Sequence, residues 1–135
     1  MPRHYTLEEA NLMLPELTVV LKHLQALGRQ KGMVEGRVTE VEARVHSNGH
    51  HNPIEDATVV QASQALTDAL RTNLRQLDEW DIELKDLSTG LIDFRALREG
   101  REVYLCWRLG EPEVGYWHEL STGVAGRRPV DADTV

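Results

Sequence analysis

The apolar residues of this chain change their spacing at Trp80, and that change limits the fold more than any other feature. Before Trp80 they recur every three or four positions, the repeat of a helix; beyond it they alternate every second position, the beat of a pleated strand. Runs of helix followed by runs of strand specify an α+β chain with helices packed on one sheet face. The expected architecture is a long antiparallel helical hairpin, about 7–80, on a small antiparallel β-meander of three to four strands, about 82–120. A polar, flexible C-terminal tail is expected over about 128–135. With 135 residues, 41% hydrophobic and 27% charged, the chain is expected to form a single domain around one core.

The first helix is expected to start at Leu7, because Thr6 and Glu9 have the spacing of a reciprocal capping box. Leu7, Ala10, Leu14, Leu17, Leu21 and Leu24 form one buried stripe. Pro15 lies inside it, has no amide hydrogen for the Asn11 carbonyl, and predicts a kink or a restart. A second stripe, Leu27, Val34, Val38, Val41 and Val45, follows after a phase slip like that of a coiled-coil stammer. Gly28, Gly32 and Gly36 sit around the slip, and each costs a helix about 1 kcal/mol against Ala. Close approach of the second helix, with Ala62 and Ser63 near Gly36, is the expected compensation. Asn52, Pro53 and Glu55 mark the start of that second helix, which carries Val59, Ala62, Leu66, Ala69, Leu70, Leu74 and Leu77 to about Trp80.

Beyond Trp80, four strands are expected: Ile82–Leu87, Leu91–Phe94, Glu102–Leu109 and Val114–Leu120. Connections are placed at Ser88-Thr89-Gly90, at Arg95–Arg101 and at Gly110–Glu113. Lys85 and Asp93 can meet across the first hairpin if its turn has three residues.

Acids outnumber bases 22 to 15, for a net charge of −7, which opposes the phosphate neutralisation on which nucleic-acid binding depends. No nucleic-acid partner is expected. No apolar run approaches the roughly 18 residues of a membrane span, so no membrane partner is expected either. Cys106 is the only cysteine, which excludes an internal disulfide and fits a reducing compartment. Without a signal-like N-terminus, the expected location is the cytoplasm.

Three blocks give the chain a resemblance: Tyr5-Thr6-Leu7-Glu8-Glu9-Ala10-Asn11 with LMLPEL after it, IELKDLSTGLIDF at Ile82–Phe94, and GREVYLCWRLGEPEVGYWHEL at Gly100–Leu120. Together they resemble the bacterial family called domain of unknown function 2203, over nearly the whole chain. Asp81 stands where the resemblance leads one to expect Gly, and Arg95 where it leads one to expect Pro. The resemblance implies the fold boundaries and a cytoplasmic bacterial setting, and brings no activity with it.

The densest chemistry lies on the last hairpin: Tyr104, Cys106, Trp107, Arg108, Glu111, Trp117, His118 and Glu119. Register decides its meaning, because a slip of one residue moves every side chain to the other face. Pairing Leu109 with Val114 gathers Val103, Leu105, Trp107, Tyr116, His118 and Leu120 on one face, and sends Cys106 and His118 apart. That register is preferred for its apolar face. A loop shorter or longer by one residue lets Cys106 oppose His118, and a thiolate with an imidazole can then bind zinc or act as nucleophile and base.

Other groupings carry less. His46, His50 and His51 with Glu42 allow a surface metal site in the interhelical loop, though such turns are usually solvated. HExxH is absent, since Thr122 stands where its second His would be, and so is the Glu-x-x-His of di-iron bundles.

Two functional expectations follow. One is a non-enzymatic, self-associating structural or adaptor domain. In it, the long helices of two copies pair as a homodimer, because the Leu7–Val45 stripe of roughly 57 Å outruns the second helix. The other is a metal- or small-ligand-binding domain. Cys106, His118 and Glu119 would hold a divalent ion such as zinc, with Tyr104, Trp107, Arg108 and Trp117 around them.

Overall fold

The structure, a computed structural model, describes residues 2–46 and 52–131. Two helices, α1 (Leu7–His46) and α2 (Pro53–Glu79), precede five strands: β1 (Ile82–Asp86), β2 (Leu91–Arg98), β3 (Arg101–Arg108), β4 (Tyr116–Glu119) and β5 (Arg128–Pro129). The strands pair antiparallel in chain order, as a meander. The fold is α+β, as expected.

Both helix starts follow local chemistry. The Thr6 amide donates to Glu9 Oε1 at 2.9 Å while the Glu9 amide donates to Thr6 Oγ1 at 3.1 Å. Asn52 Oδ1 accepts from the amides of Ile54 and Glu55, and Pro53 takes the first helical position. Of the two outcomes expected at Pro15, a kink or a restart, the restart does not occur: α1 runs on through it.

The chain divides into two compact units, residues 1–22 with 75–135, and residues 23–74. In the second unit, made of helix, Arg44 Nη2 meets Asp56 Oδ1 at 3.2 Å. The expected reason for its glycines is overturned there: a Cβ built on Gly32 or Gly36 meets nothing within 4 Å. These two positions stand in open space and allow no close helix approach. The candidate loop histidines His50 and His51 lie outside the described residues, and His46 is the exposed last residue of α1.

In the first unit, Ile82, Ile92, Phe94, Ala96, Val103, Leu105, Trp107 and Trp117 fall on one face of the sheet by register and alternation, and all are buried. Ala10, Leu17 and Leu21 of α1 are also fully buried. Tyr5 anchors the N-terminal segment. Its amide donates to the Arg95 carbonyl at 2.7 Å, its hydroxyl donates to the Trp80 carbonyl at 2.6 Å, and its ring meets Phe94 edge-on at 5.0 Å. Asp81 adopts φ 55, the left-handed conformation that a glycine takes freely and aspartate tolerates. That explains why Gly is the expected residue there.

Three expectations about the sheet need correction. The segment expected to connect strands at Arg95–Arg101 is mostly strand. β2 reaches Arg98, and the turn is Glu99-Gly100, both at positive φ as a two-residue hairpin requires. The tail expected from 128 begins instead with β5, where Tyr116 pairs with Pro129 and Trp117 with Arg128, so the meander has five strands. Residues 132–135 of that tail lie outside the described residues.

The third correction concerns register. Val103 pairs with Glu119, Tyr104 with His118, Leu105 with Trp117 and Cys106 with Tyr116, one residue off the preferred register. Val114 does not pair with Leu109; its amide donates to Asn11 Oδ1 at 2.7 Å, which draws the loop onto α1, while the Leu109 amide donates to the Gly90 carbonyl.

Candidate metal centre

The shifted register puts Cys106 and His118 on the same face, opposite the apolar one. Asp93 joins them, because it is the cross-strand partner of Cys106 on β2. One ligand atom from each of Asp93, Cys106 and His118 lies within 4.8 Å of the others, and all three residues are buried. Their exposures are 1%, 0% and 2%. Three polar side chains buried to this degree need a compensating interaction.

Part of that compensation is a directed pair. His118 Nδ1 lies 2.8 Å from the carbonyl oxygen of Glu119, which only accepts, so Nδ1 carries a hydrogen and donates it. His118 Nε2 lies 3.0 Å from Asp93 Oδ2. One proton sits in that contact, carried either by the imidazole or by the carboxyl. Orientation of one ring nitrogen by a backbone carbonyl is the arrangement that aims the other nitrogen at a metal.

Asp93 Oδ1 is buried and has no hydrogen-bond partner. Burial pushes the Asp93 carboxyl above its ordinary range, against the lowering influence of His118 and Lys85. Cys106 is affected more strongly: burial first and the Asp93 charge second push its thiol up to about 12. A thiol held protonated in this way is a poor nucleophile, and a metal ion is the agent that would ionise it.

Around the cluster, the Tyr104 ring lies 5.4 Å from His118. Contact with the Glu83 carboxylate first, and burial second, raise the Tyr104 phenol. Lys85 sits at a bulge of β1, with its ammonium 5.3 Å from the Tyr104 ring and 3.6 Å from Glu83, in place of the expected partnership with Asp93 across the turn. The Arg127 guanidinium stacks on the Tyr116 ring at 3.7 Å and donates twice from Nη2 to Glu111, at 3.2 and 2.9 Å.

The family model described as "Uncharacterized conserved protein (DUF2203)" matches residues 3–130. The chain belongs to the DUF2203 family. No curated protein matches the chain, and no solved structure does.

In this DUF2203 chain the residues singled out from sequence separate between the two sheet faces. Tyr104, Cys106 and His118 share the polar face with Asp93. Trp107 is buried on the apolar side and donates from Nε1 to the Glu111 carbonyl at 3.1 Å. Trp117 lies on the apolar side as well, with Arg98 4.4 Å and Arg128 5.3 Å from its ring. Arg108 is exposed at the end of β3, where its amide donates to Glu111 Oε1. Strand alternation sends the Glu119 side chain away from His118, so its contribution to the cluster is the backbone carbonyl. The carboxylate in the cluster is that of Asp93, not of Glu119. Its signal in the sequence was an acid embedded in the apolar run Leu91-Ile92-Asp93-Phe94, which only a known register of β2 on β3 places beside Cys106.

Proposed function

We propose that this chain is a metal-binding domain whose centre is Asp93, Cys106 and His118, suited to a borderline divalent ion such as zinc. The observation that carries the reading is the burial of a carboxylate, a thiol and an imidazole with one ligand atom from each within 4.8 Å of the others. Tetrahedral bonds of 2.0–2.3 Å place ligand atoms roughly 3.3–3.8 Å apart, so small side-chain adjustments would open the cluster around an ion. A thiolate and an imidazole favour zinc over calcium or magnesium, which take oxygen ligands. A reducing compartment such as the cytoplasm would keep Cys106 available as a ligand.

Protein purified without an affinity tag and analysed for metals is expected to hold close to one zinc per chain. Cobalt(II) exchanged into it is expected to give a thiolate-to-cobalt charge-transfer band that Cys106→Ser abolishes. Metal well below stoichiometry, with no cobalt band, would sink the reading.

A second reading, self-association through α1, is favoured by a separate observation. Leu12 and Val19 are exposed on the part of α1 in the first unit, at 74% and 69%, seven residues apart and so on one side of a coiled helix. Light scattering at micromolar concentration tests it: a dimer supports a second copy on this stripe, and a strict monomer removes it.

A further inference from the structure

The helical unit, residues 23–74, has little core of its own. Among its described apolar residues beyond Leu27, only Val41 and Val59 are buried. One helix laid on another leaves a broad side of both uncovered, and a stable layer needs a second layer against it. On one side of this unit a groove runs between α1 and α2, as two adjoining hollows of about 260 and 240 Å³ that share Val34 and Arg37. Val34, Val59 and Leu66 form its apolar floor. Met33 and Ile54 line it at 75% and 79% exposure, far more apolar surface than a single scattered side chain presents.

The charges on the groove indicate what covers it. Arg37 of α1 and Glu55 of α2 line the same hollow from opposite helices, and neither side chain has a partner among the described residues. A groove built for an unrelated acidic or basic helix would carry one sign, whereas this one carries both. A two-fold axis parallel to the helices keeps every residue at its own height and sets α1 beside the α2 of a second copy. Arg37 then meets the partner's Glu55, Glu55 meets the partner's Arg37, and both contacts are satisfied by one symmetric pairing. Two helices of this length present a face on the order of 650 Å² per copy, which puts a pair inside the size range of stable interfaces.

We infer that this groove seats a second copy of the chain, the two helical units closing into a four-helix bundle with Arg37 of each against Glu55 of the other. The inference is separate from the metal centre and from the surface of Leu12 and Val19, all of which lie in the other unit.

The test is light scattering on the full chain across micromolar concentrations, with charge reversals at the two positions. The wild type is expected to be a dimer. Arg37→Glu and Glu55→Arg, both at exposed positions, each set like charges against one another at both contacts and are expected to weaken the dimer by roughly tenfold or more. Carrying both substitutions in one chain is expected to restore it. Mixing the two single variants is expected to give a heterodimer, because every contact is then between opposite charges.

A strict monomer overturns the inference. So does a dimer that tolerates both reversals and is lost in Leu12→Lys, a result that leaves association through the first unit standing. Single variants that stay monomeric when mixed, and stay so when combined in one chain, also overturn it.

Discussion

His118 Nε2 and Asp93 Oδ2 meet at 3.0 Å with both side chains almost wholly buried, in an interaction that bridges β4 and β2 across β3. Because Nδ1 is committed to the Glu119 carbonyl, the contact needs one proton, from either partner.

Asp93→Asn is therefore expected to fold. Its amide can donate to Nε2 of a neutral imidazole, and stability at neutral pH should stay within about 1 kcal/mol of wild type. The sign of the pH effect follows from the raised Asp93 carboxyl: the stabilisation it gives is complete below its unfolded value of 3.8 and is lost as pH rises through the folded value. Urea unfolding of Asp93→Asn across acidic pH should lack that dependence. Its metal affinity should fall at least about 100-fold, since even residues that only orient a ligand cost 10–100-fold.

The Cys106 thiol, at about 12 in the fold against 9.0 in the unfolded chain, makes metal-free protein sensitive to alkali. The unfolded thiol ionises first, so stability is full below about pH 9 and falls as pH rises toward 12, at up to about 1.4 kcal/mol per pH unit. Denaturant unfolding of wild type and Cys106→Ala over this range should diverge, and parallel curves would refute the assignment.

Gly32→Ala and Gly36→Ala are expected to raise stability by about 1 kcal/mol each, because nothing stands within 4 Å of the added methyl and a helical glycine is entropically costly. Thermal unfolding should show a higher Tm for each. A lower Tm would reinstate close helix contact as their purpose.

Gly90→Ala should do the opposite. At φ 69 its new Cβ would lie 2.5 Å from the Leu109 Cβ, and strain with overpacking should cost about 2–5 kcal/mol. Gly100→Asn provides the contrast, since φ 76 there faces open space and asparagine accepts that conformation.

Asn11→Ala removes the acceptor of the Val114 amide, a loss expected to cost about 1–3 kcal/mol, while Asn11→Asp should retain most of the stability. Equal denaturation midpoints for Asn11→Ala and wild type would show that the last hairpin is positioned by other contacts.

What could be read from the sequence was what is local. Thr6 with Glu9, and Asn52 with Pro53, close their interactions within three residues, so both helix starts are written in the chain itself. The change of period after Trp80 marked the boundary between helix and sheet, and Cys106 and His118 were identifiable as ligand types. Their juxtaposition was not, because it depends on a register whose loop is tied to Asn11, 103 residues before Val114. The same distance concealed Asp93, whose role depends on which residue of β3 lies opposite it. β5 is two residues long, too short to show an alternation, and it is recognisable only from its pairing with Tyr116 and Trp117.

Tyr5 docks on carbonyls of Trp80 and Arg95, the first of them 75 residues further along the chain. On a ribosome adding 5–20 residues each second, those carbonyls emerge seconds after the tyrosine does. Until then the leucine side of α1 has no sheet to rest on, and the nascent chain presents it to the solvent. Assembly of this unit is thus paced by translation, and the interval before Arg95 emerges is when a chaperone would find most to hold.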